Sequence, residues 1–398
     1  MMTEARITAA DAFHIDVEND HVGCLWLLNR PVHAEALVAL AGAAMAAVPR
    51  LSMMIDRRRR VWRHRPEIDP AGQVVTCPAS KNLSETLGHL SRAYLEPLLQ
   101  AGRPPWRVVH LPGAEGNGDA VCYIAHHSFT DGSRGFELAR SFASGHLSGR
   151  GAKGSTPPNS MNLGVWRTAA VTALRDVTRA TATGIPKGRD TGTRRFETAE
   201  IPAEQIRAAR GAAQTSISDI LAGALARAVA RRYGGDTLNL MVPRAVGDRV
   251  VGSSGNAFLP EIRTYDAIGT RRDKQDPRNL VLRVTADQFL MSAMQFMPAR
   301  LRQATYHRWA DGFDALCTVL PDRFADITLC GAQVRRAYGV PPLIWRQPIS
   351  AAFVCGKKGA ALLVAWDNGI IDASGLSELV AKEVACITRS RQAPPRAT

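Results

Sequence analysis

A stretch with few apolar residues runs from Ser144 to Asn162 and constrains the fold more than any other feature of the sequence. It is rich in glycine, serine, proline and lysine, a composition that leaves too little apolar surface to anchor a core. Such a stretch is typical of a linker between two folded parts. We therefore predict that the 398 residues fold as an N-terminal lobe over residues 1–143 and a C-terminal lobe over residues 195–398, joined by a linker and crossover helix over residues 144–194.

The N-terminal segment alternates between strand-like and helix-like patterns. We predict a strand over His21–Leu28, a helix over Ala34–Val48 and two strands within Arg107–His127, separated by a loop at Pro112–Asp119. A further helix is expected over Gly135–Phe142. These elements predict a mixed α/β lobe.

The C-terminal segment shows the same alternation. Apolar residues at every fourth position from Ile217 to Val229 indicate a helix, with Thr215 or Ser218 as its N-cap and Gly234 at its end. The other predicted elements are strands at Arg195–Ile201, Thr237–Val242 and Ala360–Trp366 and a final helix at Ser374–Ile387. The whole chain is thus of the α/β class, with mixed sheets.

The chain carries a surplus of positive charge, since 50 Lys and Arg residues stand against 36 Asp and Glu, a net charge of +14. The densest basic run is Arg57–Arg60, followed by Arg63 and Arg65. This run is a candidate binding surface for an anionic lipid, for the phosphates of CoA or for an acidic carrier protein. An equally good interpretation is a solvated strand edge without a binding role. Nucleic acid is not an expected partner, because no reader motif accompanies the charge.

Seven scattered cysteines without a C-x-x-C pair indicate reduced thiols rather than disulfides or a zinc ribbon. The first twenty residues contain five acidic side chains and no basic head before an apolar block, so no signal peptide is expected. The longest weakly polar stretch, Ala36–Val48, has 13 residues, whereas a bilayer span needs ~20. We expect a cytoplasmic protein that is soluble or at most peripheral to the inner face of the membrane.

The stretch Ala120–Gly132 contains the residues best suited to chemistry, His126, His127 and Asp131. Side chains of a strand alternate between its faces, so the two histidines cannot both enter one cavity unless the strand ends between them. We infer that one is a reagent and the other is structural. Asp131 and Gly132 predict a turn with a carboxylate near the imidazoles. Adjacent histidines on opposite faces are poor joint ligands, so no metal is expected, and no G-x-S-x-G elbow supports a serine hydrolase.

The run from His126 to Gly132 resembles the H-H-x-x-x-D-G signature of an acyltransferase superfamily that includes peptide-synthetase condensation domains and CoA-dependent acyltransferases. Within it, the chain is most similar to the bacterial wax ester synthase/diacylglycerol acyltransferase family. Weaker matches follow in the family's order at Asp11-Ala12-Phe13, His21-Val22-Gly23, Val48-Pro49-Arg50-Leu51, Pro105-Trp106, Met241-Val242-Pro243 and Gly255-Asn256-Ala257-Phe258. The resemblance implies two chloramphenicol-acetyltransferase-like lobes that form a V around a central channel.

The resemblance also implies a role for each residue of the signature. His127 is the general base, which deprotonates the acceptor and returns the proton to the leaving thiolate, an effect worth ~10²- to 10⁴-fold. No covalent acyl-enzyme is required. Asp131 is structural and pairs with an arginine, either Arg244 or Arg249. Gly132 keeps the channel open and helps to hold the oxyanion.

Other positions are candidates on the same grounds. His126 is the structural histidine, and Asn256 is a contributor from the second lobe. Candidate positions along the substrate channel are Ser128, Trp106, Asp219 and Thr318. The chain departs from the family where Ser218-Asp219 replaces Asn-Asp and where Thr318-Val319-Leu320-Pro321 replaces Ser-Asn-Val-Pro. These departures favour acyl transfer in general over long-chain wax or triacylglycerol synthesis in particular.

We therefore expect an acyltransferase that moves an acyl group from a thioester to a small-molecule alcohol or amine. The donor is either acyl-CoA or an acidic acyl carrier protein, so CoA or phosphopantetheine enters as part of a co-substrate and no cofactor is bound permanently. Two alternatives remain open on this scaffold: a non-catalytic condensation-like binding module, and a catalyst of condensation or cyclisation.

Overall fold

The computed structural model describes residues 4–7, 11, 14–15, 17, 19–116, 118–130, 132–144, 185–188, 190–245, 258–272, 297–322, 324, 327–343 and 347–389. The predicted linker and crossover helix lie almost wholly outside these residues, as do Asp131, Arg249 and Asn256. The division of the chain at residues 143 and 195 therefore stays a prediction.

The helices and strands of the first half occur in the following order along the chain. They are β1 Glu4–Arg6, β2 His21–Leu28, α1 Ala34–Ala47, β3 Met53–Asp56, β4 Val61–His64, β5 Val74–Thr76, α2 Leu83–Leu95, β6 Trp106–Glu115, β7 Gly118–His126 and α3 Gly132–Ser144. The predicted strand at His21–Leu28 and the predicted helix after Ala34 are thus confirmed, and the helix expected at Gly135–Phe142 is longer by a few residues at each end.

The second half follows the same alternation of strands and helices. Its elements are β8 Arg194–Pro202, α4 Ala203–Ala213, α5 Ile217–Tyr233, β9 Thr237–Ala245, β10 Phe258–Asp266, α6 Ala299–Ala310, β11 Ala315–Pro321, β12 Thr328–Leu329, β13 Ala332–Val340, β14 Ile349–Gly356, β15 Gly359–Asp367 and α7 Leu376–Arg389. All the strands and helices predicted between Arg195 and Ile387 are confirmed, with bounds that differ by a few residues.

Two six-stranded mixed sheets form the framework, together with a small sheet in the order β1-β4-β3. The first large sheet has the order β12-β13-β2-β7-β6-β5, and the second has the order β10-β9-β11-β14-β15-β8. In the first sheet only β5 and β6 run parallel, whereas in the second β11 is parallel to both β9 and β14. This arrangement confirms the α/β class with mixed sheets.

The first sheet is completed by a segment from the second half of the chain. Strand β13 pairs antiparallel with β2, where Tyr338 lies opposite Leu25. Helix α2 supports the same junction, because the Tyr94 hydroxyl donates to the His21 carbonyl oxygen and also lies 3.3 Å from the Pro341 carbonyl oxygen. The two halves of the sequence are therefore joined through a shared sheet.

Strand β7 lies in the interior of the first sheet and is buried at every position. Its sequence is accordingly a nearly continuous apolar run rather than an alternation, as expected for a strand covered on both faces. Tyr123 of β7 packs against the rings of Trp106 and Phe142, which come from β6 and α3. This packing fixes the strand whose end carries the two adjacent histidines.

Two local predictions were wrong. The N-cap of α5 is Ser216, not Thr215 or Ser218, because the Ser216 hydroxyl accepts the backbone N–H of Asp219 at 3.0 Å, the geometry of an N-cap with the third helical residue. The loop predicted at Pro112–Asp119 is much shorter, since β6 continues to Glu115 through an irregularity after Leu111. A strand bulge absorbs the glycine-rich sequence there.

None of the helices in the described part of the chain is both long enough and apolar enough to cross a bilayer. The seven cysteines are all free thiols.

Candidate active site

The two adjacent histidines occupy different environments because β7 ends between them. His126 is its last residue and lies opposite His21 of β2. His127 begins a turn, which continues to Phe129 and is followed by helix α3 from Gly132. The reversal predicted at Asp131-Gly132 thus comes earlier in the chain, and Gly132 is the first residue of a helix.

The His126 side chain is fully buried and bonded at both ring nitrogens. Its Nε2 lies 2.8 Å from the Val17 carbonyl oxygen, and its Nδ1 lies 2.8 Å from Ser128 Oγ. Because a carbonyl can only accept, Nε2 carries the proton and Nδ1 accepts from the Ser128 hydroxyl. Burial lowers the pKa of His126 to about 4, so the ring is neutral at physiological pH. These bonds hold the ring in place and give it a structural position.

The His127 side chain points into a buried cluster formed with residues near the N-terminus. Its ring stacks on that of His14, with centroids 3.9 Å apart and planes inclined by 17°. Its backbone N–H donates to the Asp20 carbonyl oxygen at 2.7 Å. The side chain is almost wholly shielded, and this burial lowers the pKa of His127 to about 3. At neutral pH the imidazole is therefore the free base, the form able to take a proton.

Asp20 is the acidic member of this cluster. Its Oδ2 lies 2.5 Å from Nδ1 of His14, while its Oδ1 has no hydrogen-bond partner among the described residues. Burial raises the pKa of Asp20, and the nearby His127, His126 and Arg194 act in the opposite direction. Burial also lowers the pKa of His14 to about 3.

The cluster is not arranged as a metal centre. His14, Asp20 and His127 each offer one potential ligand atom, and these atoms lie within 4.8 Å of one another. An imidazole binds a metal ion through a lone pair in the plane of its ring. Because the rings of His14 and His127 are stacked and nearly parallel, one ion cannot lie in both ring planes close to both rings. The contact between His14 and Asp20 is accordingly a hydrogen bond.

The turn that carries His127 is held by Arg50, which follows the first helix of the chain. The guanidinium donates to the Phe129 carbonyl oxygen at 3.0 Å. It also lies 4.5 Å from the ring centroid of Trp62 and 4.8 Å from that of Phe129. The indole N–H of Trp62 in turn donates to Asp11 at 3.3 Å. A planar cation in contact with two aromatic rings therefore fixes the turn.

The second half of the chain reaches the site through α6 and β8. Tyr306 of α6 is buried, and the charge of Asp20 adds to the burial that raises the pKa of its hydroxyl. Arg194 opens β8, and its guanidinium lies 5.0 Å from the ring centroid of Tyr94. Both halves of the chain thus contribute groups around Asp20.

The residues predicted along the channel have the following contacts in the structure. Ser128 is fully buried and bonded to His126, and Trp106 is a core residue whose indole N–H donates to the Leu51 carbonyl oxygen at 2.8 Å. Asp219 lies in the first turn of α5, accepts the hydroxyl of the N-cap Ser216 at 2.8 Å and forms ion pairs with Arg263 at 2.9 Å and Arg271 at 3.3 Å. The assignment of these three residues to a substrate channel stays a prediction.

Thr318 lies on β11, half-buried and opposite Ala352 of β14. Arg244 lies on β9 opposite Leu259 of β10. The partner of Asp131 is not visible, because Asp131 and Arg249 lie outside the described residues, as does Asn256. For these residues the roles assigned from the resemblance stay predictions.

His14, Asp20 and Tyr306 are site residues that the sequence did not predict. His14 and Asp20 lie within the first twenty residues of the chain, which contain five acidic side chains. The composition of this segment does not distinguish these two residues from their neighbours. Arg50 was noted only as part of a family match. The property that distinguishes His14 and Asp20 is that they are polar and buried, and burial is known only from the folded chain.

Comparison with known proteins places this geometry in context. Residues 9–183 match the sequence model of the wax ester synthase/diacylglycerol acyltransferase catalytic domain. No match was found among curated proteins. Among solved structures, the wax ester synthase/diacylglycerol acyltransferase from Marinobacter aquaeolei VT8 aligns with a TM-score of 0.64 at 16% identity, covering 98% of this chain and 100% of that one.

Two further structures share the fold. Trichothecene 15-O-acetyltransferase from Fusarium sporotrichioides aligns with a TM-score of 0.63 at 11% identity, covering 97% of this chain and 95% of that one. The starter condensation domain of rhizomide synthetase, in complex with C8-CoA and Leu-SNAC, aligns with a TM-score of 0.58 at 13% identity, covering 97% and 94% respectively. The fold with two chloramphenicol-acetyltransferase-like lobes is thereby confirmed.

Proposed function

We propose that this chain, a wax ester synthase-like member of the chloramphenicol-acetyltransferase-like acyltransferase superfamily, moves an acyl group from a thioester to a hydroxyl or amine with His127 as the general base. One observation carries the proposal. The second histidine of the signature follows the end of β7 directly and enters a buried cluster, whereas the first is bonded at both nitrogens.

The reaction requires one proton to move twice. His127 takes the proton of the acceptor O–H or N–H as that oxygen or nitrogen attacks the thioester carbonyl carbon. The new C–O or C–N bond forms, the C–S bond breaks, and the proton passes from His127 to the departing sulfur. The products are an ester or amide and a free thiol, so His127 ends as it began.

The surroundings support direct transfer without an acyl-enzyme. Ser128 is beside the base, but its hydroxyl is committed to His126 and is fully buried. Cys122 and Cys317 are buried thiols, and burial raises the pKa of Cys317 to about 12. A nucleophile that keeps its proton is poorly reactive, so neither cysteine suits covalent catalysis.

We propose CoA or a phosphopantetheine-bearing acyl carrier protein as the donor. Support comes from the condensation-domain structure with C8-CoA, which shares the fold. Further support comes from Arg57–Arg60, which lie exposed in the turn between β3 and β4 and suit the phosphates of such a donor or an acidic carrier. The same turn suits an anionic membrane surface, and the reaction belongs in the cytoplasm, where the seven thiols stay reduced.

The test is turnover with a panel of acyl-CoAs and acylated carrier proteins, each offered with alcohols and amines. Release of thiol and the mass of the product are both recorded. We expect His127→Ala to retain its fold and to lose ~10²- to 10⁴-fold in turnover. His89→Ala, which changes another buried histidine on α2, is the control and should keep wild-type turnover. Wild-type activity in His127→Ala excludes the proposed base, and a cyclised product would identify the alternative chemistry.

A further inference from the structure

The proposed transfer requires a buried imidazole to become positively charged. The residues His127 and His14, whose rings are stacked, are 7% and 6% exposed. A positive charge in such surroundings is strongly disfavoured unless a negative group lies nearby. Fast proton transfer to His127 therefore requires a negatively charged group near its ring.

Asp20 is a negative group in the right place. It is 1% exposed, and its Oδ1 has no hydrogen-bond partner in the part of the chain that the structure describes. A potential ligand atom of its carboxylate lies within 4.8 Å of one on His127. Its carbonyl oxygen also accepts the backbone N–H of His127 at 2.7 Å. Asp20 thus faces the proposed base with both its side chain and its backbone.

His14 connects the two residues. Its Nδ1 lies 2.5 Å from Oδ2 of Asp20, and its ring is stacked on that of His127. The hydrogen bond fixes the orientation of the His14 ring, and the stack fixes the plane of the His127 ring. Through these two contacts, His14 keeps the Asp20 carboxylate and the His127 ring in fixed relative positions.

On the premise of the proposed function, we propose that Asp20 is the counter-charge of the His127 imidazolium and that His14 holds the carboxylate and the base in their relative positions. Both are positioning residues. The proton passes from the acceptor to His127 and then to the leaving sulfur, while Asp20 stays ionised throughout. The arrangement differs from a catalytic triad, in which the carboxylate bonds to the base itself.

The groups that face Asp20 belong to several elements. They are His14 from the N-terminal segment, His126 and His127 from the end of β7, Tyr94 from α2, Arg194 from β8 and Tyr306 from α6. Burial raises the pKa of both tyrosines, so they stay neutral, and Arg194 favours the ionised carboxylate. Burial raises the pKa of Asp20 and lowers the pKa of the histidines, so acidification protonates Asp20 more readily, and the histidines less readily, than the same groups in water.

The decisive variant is Asp20→Asn, which preserves shape and removes charge. We expect kcat to fall about 10- to 100-fold near neutral pH, equivalent to one or two pKa units of lost imidazolium stabilisation, while KM for the acyl donor is unchanged. In the wild type, kcat should fall on acidification as Asp20 takes up a proton. In Asp20→Asn that acidic limb should be absent, leaving a low kcat that does not vary with pH.

A matched control is available at another buried pair. His110 Nε2 lies 2.9 Å from Asp119 Oδ2, and both residues are buried in the same sheet as His126. Asp119→Asn removes a comparable buried carboxylate away from the site. We expect it to lower the melting temperature while leaving the acidic limb of the kcat profile in place, which is the signature of a purely structural role.

Two substitutions at His14 test its hydrogen bond to Asp20 and its stack on His127 separately. His14→Phe keeps an aromatic ring for the stack but cannot donate to Asp20, whereas His14→Asn keeps a donor and loses the stack. We expect kcat to fall in both. If Asp20→Asn does not fold, these two variants decide the matter, and wild-type kcat in both overturns the proposal.

The inference and the proposed function fail in different ways. Wild-type kcat and an intact acidic limb in Asp20→Asn, with His127→Ala inactive, overturn the role of Asp20 and leave the base in place. Activity in His127→Ala removes the base itself, and the role of Asp20 falls with it.

Discussion

His21 and His126 face each other across β2 and β7, with ring centroids 5.7 Å apart and ring planes inclined by 68°. Burial lowers the pKa of both rings, to about 4 for His126, and His21 Nδ1 lies 2.7 Å from the Tyr94 carbonyl oxygen. Since a carbonyl oxygen can only accept, His21 Nδ1 is the donor. Both rings are therefore held neutral in the folded chain.

We expect acid to unfold this protein because of its buried histidines. The unfolded chain takes up protons on each imidazole near pH 6.5, whereas the folded chain resists until a much lower pH. Stability is therefore present above pH 6.5 and is lost as the pH falls, by up to ~1.4 kcal/mol per pH unit for each buried ring. Asp20, with its raised pKa, acts in the opposite direction.

Urea unfolding between pH 7 and pH 4 measures this loss. His21→Asn retains a donor toward the Tyr94 carbonyl and removes one titrating ring, so the free energy of unfolding should depend less steeply on pH in this variant. A free energy of unfolding that does not change over this range contradicts the prediction.

Arg50 offers a test of how the turn that carries His127 is held. Arg50→Lys keeps the positive charge but loses the planar group between Trp62 and Phe129, so the turn carrying His127 should loosen. We expect a stability loss of about 1 kcal/mol and a several-fold fall in kcat. Kinetics at saturating donor, with thermal unfolding alongside, measure both. A fall in stability without any change in kcat would show that the position of His127 does not depend on Arg50.

Trp106 is expected to act through packing. Trp106→Phe removes the donor to the Leu51 carbonyl oxygen and leaves a cavity, which should cost about 2 kcal/mol in the free energy of unfolding. Turnover per folded molecule should be close to that of the wild type. A change in acyl-chain preference in this variant would instead return Trp106 to the substrate channel.

The exposed arginines at Arg57–Arg60 predict an electrostatic contribution to donor binding. Serine at positions 57–59 and asparagine at position 60, where the backbone φ is 56°, should leave stability unchanged. We expect a higher KM for the donor and a weaker dependence of KM on salt. The control neutralises four exposed basic residues elsewhere, Arg207, Arg210, Lys357 and Lys358. An equal effect in both variants would indicate net charge rather than a binding surface.

Local sequence was sufficient for most of the strands and helices. Patterns of period two or 3.6 in the sequence indicate strands and helices directly. Such local patterns predicted β7 from its apolar run, α5 from apolar residues at every fourth position, and β2. The pair His126 and His127 also followed from alternation along a strand, because a strand that ends between them separates their environments.

The rest depended on contacts between distant parts of the chain. His14 and His127 are separated by more than a hundred residues, yet their rings are stacked, and β13 from the second half completes the first sheet beside β2. The burial of Asp20 and of Trp106 has the same origin. Sequence patterns carry the chemistry of each residue and its local geometry, whereas solvent exclusion and charge proximity arise only when the chain has folded.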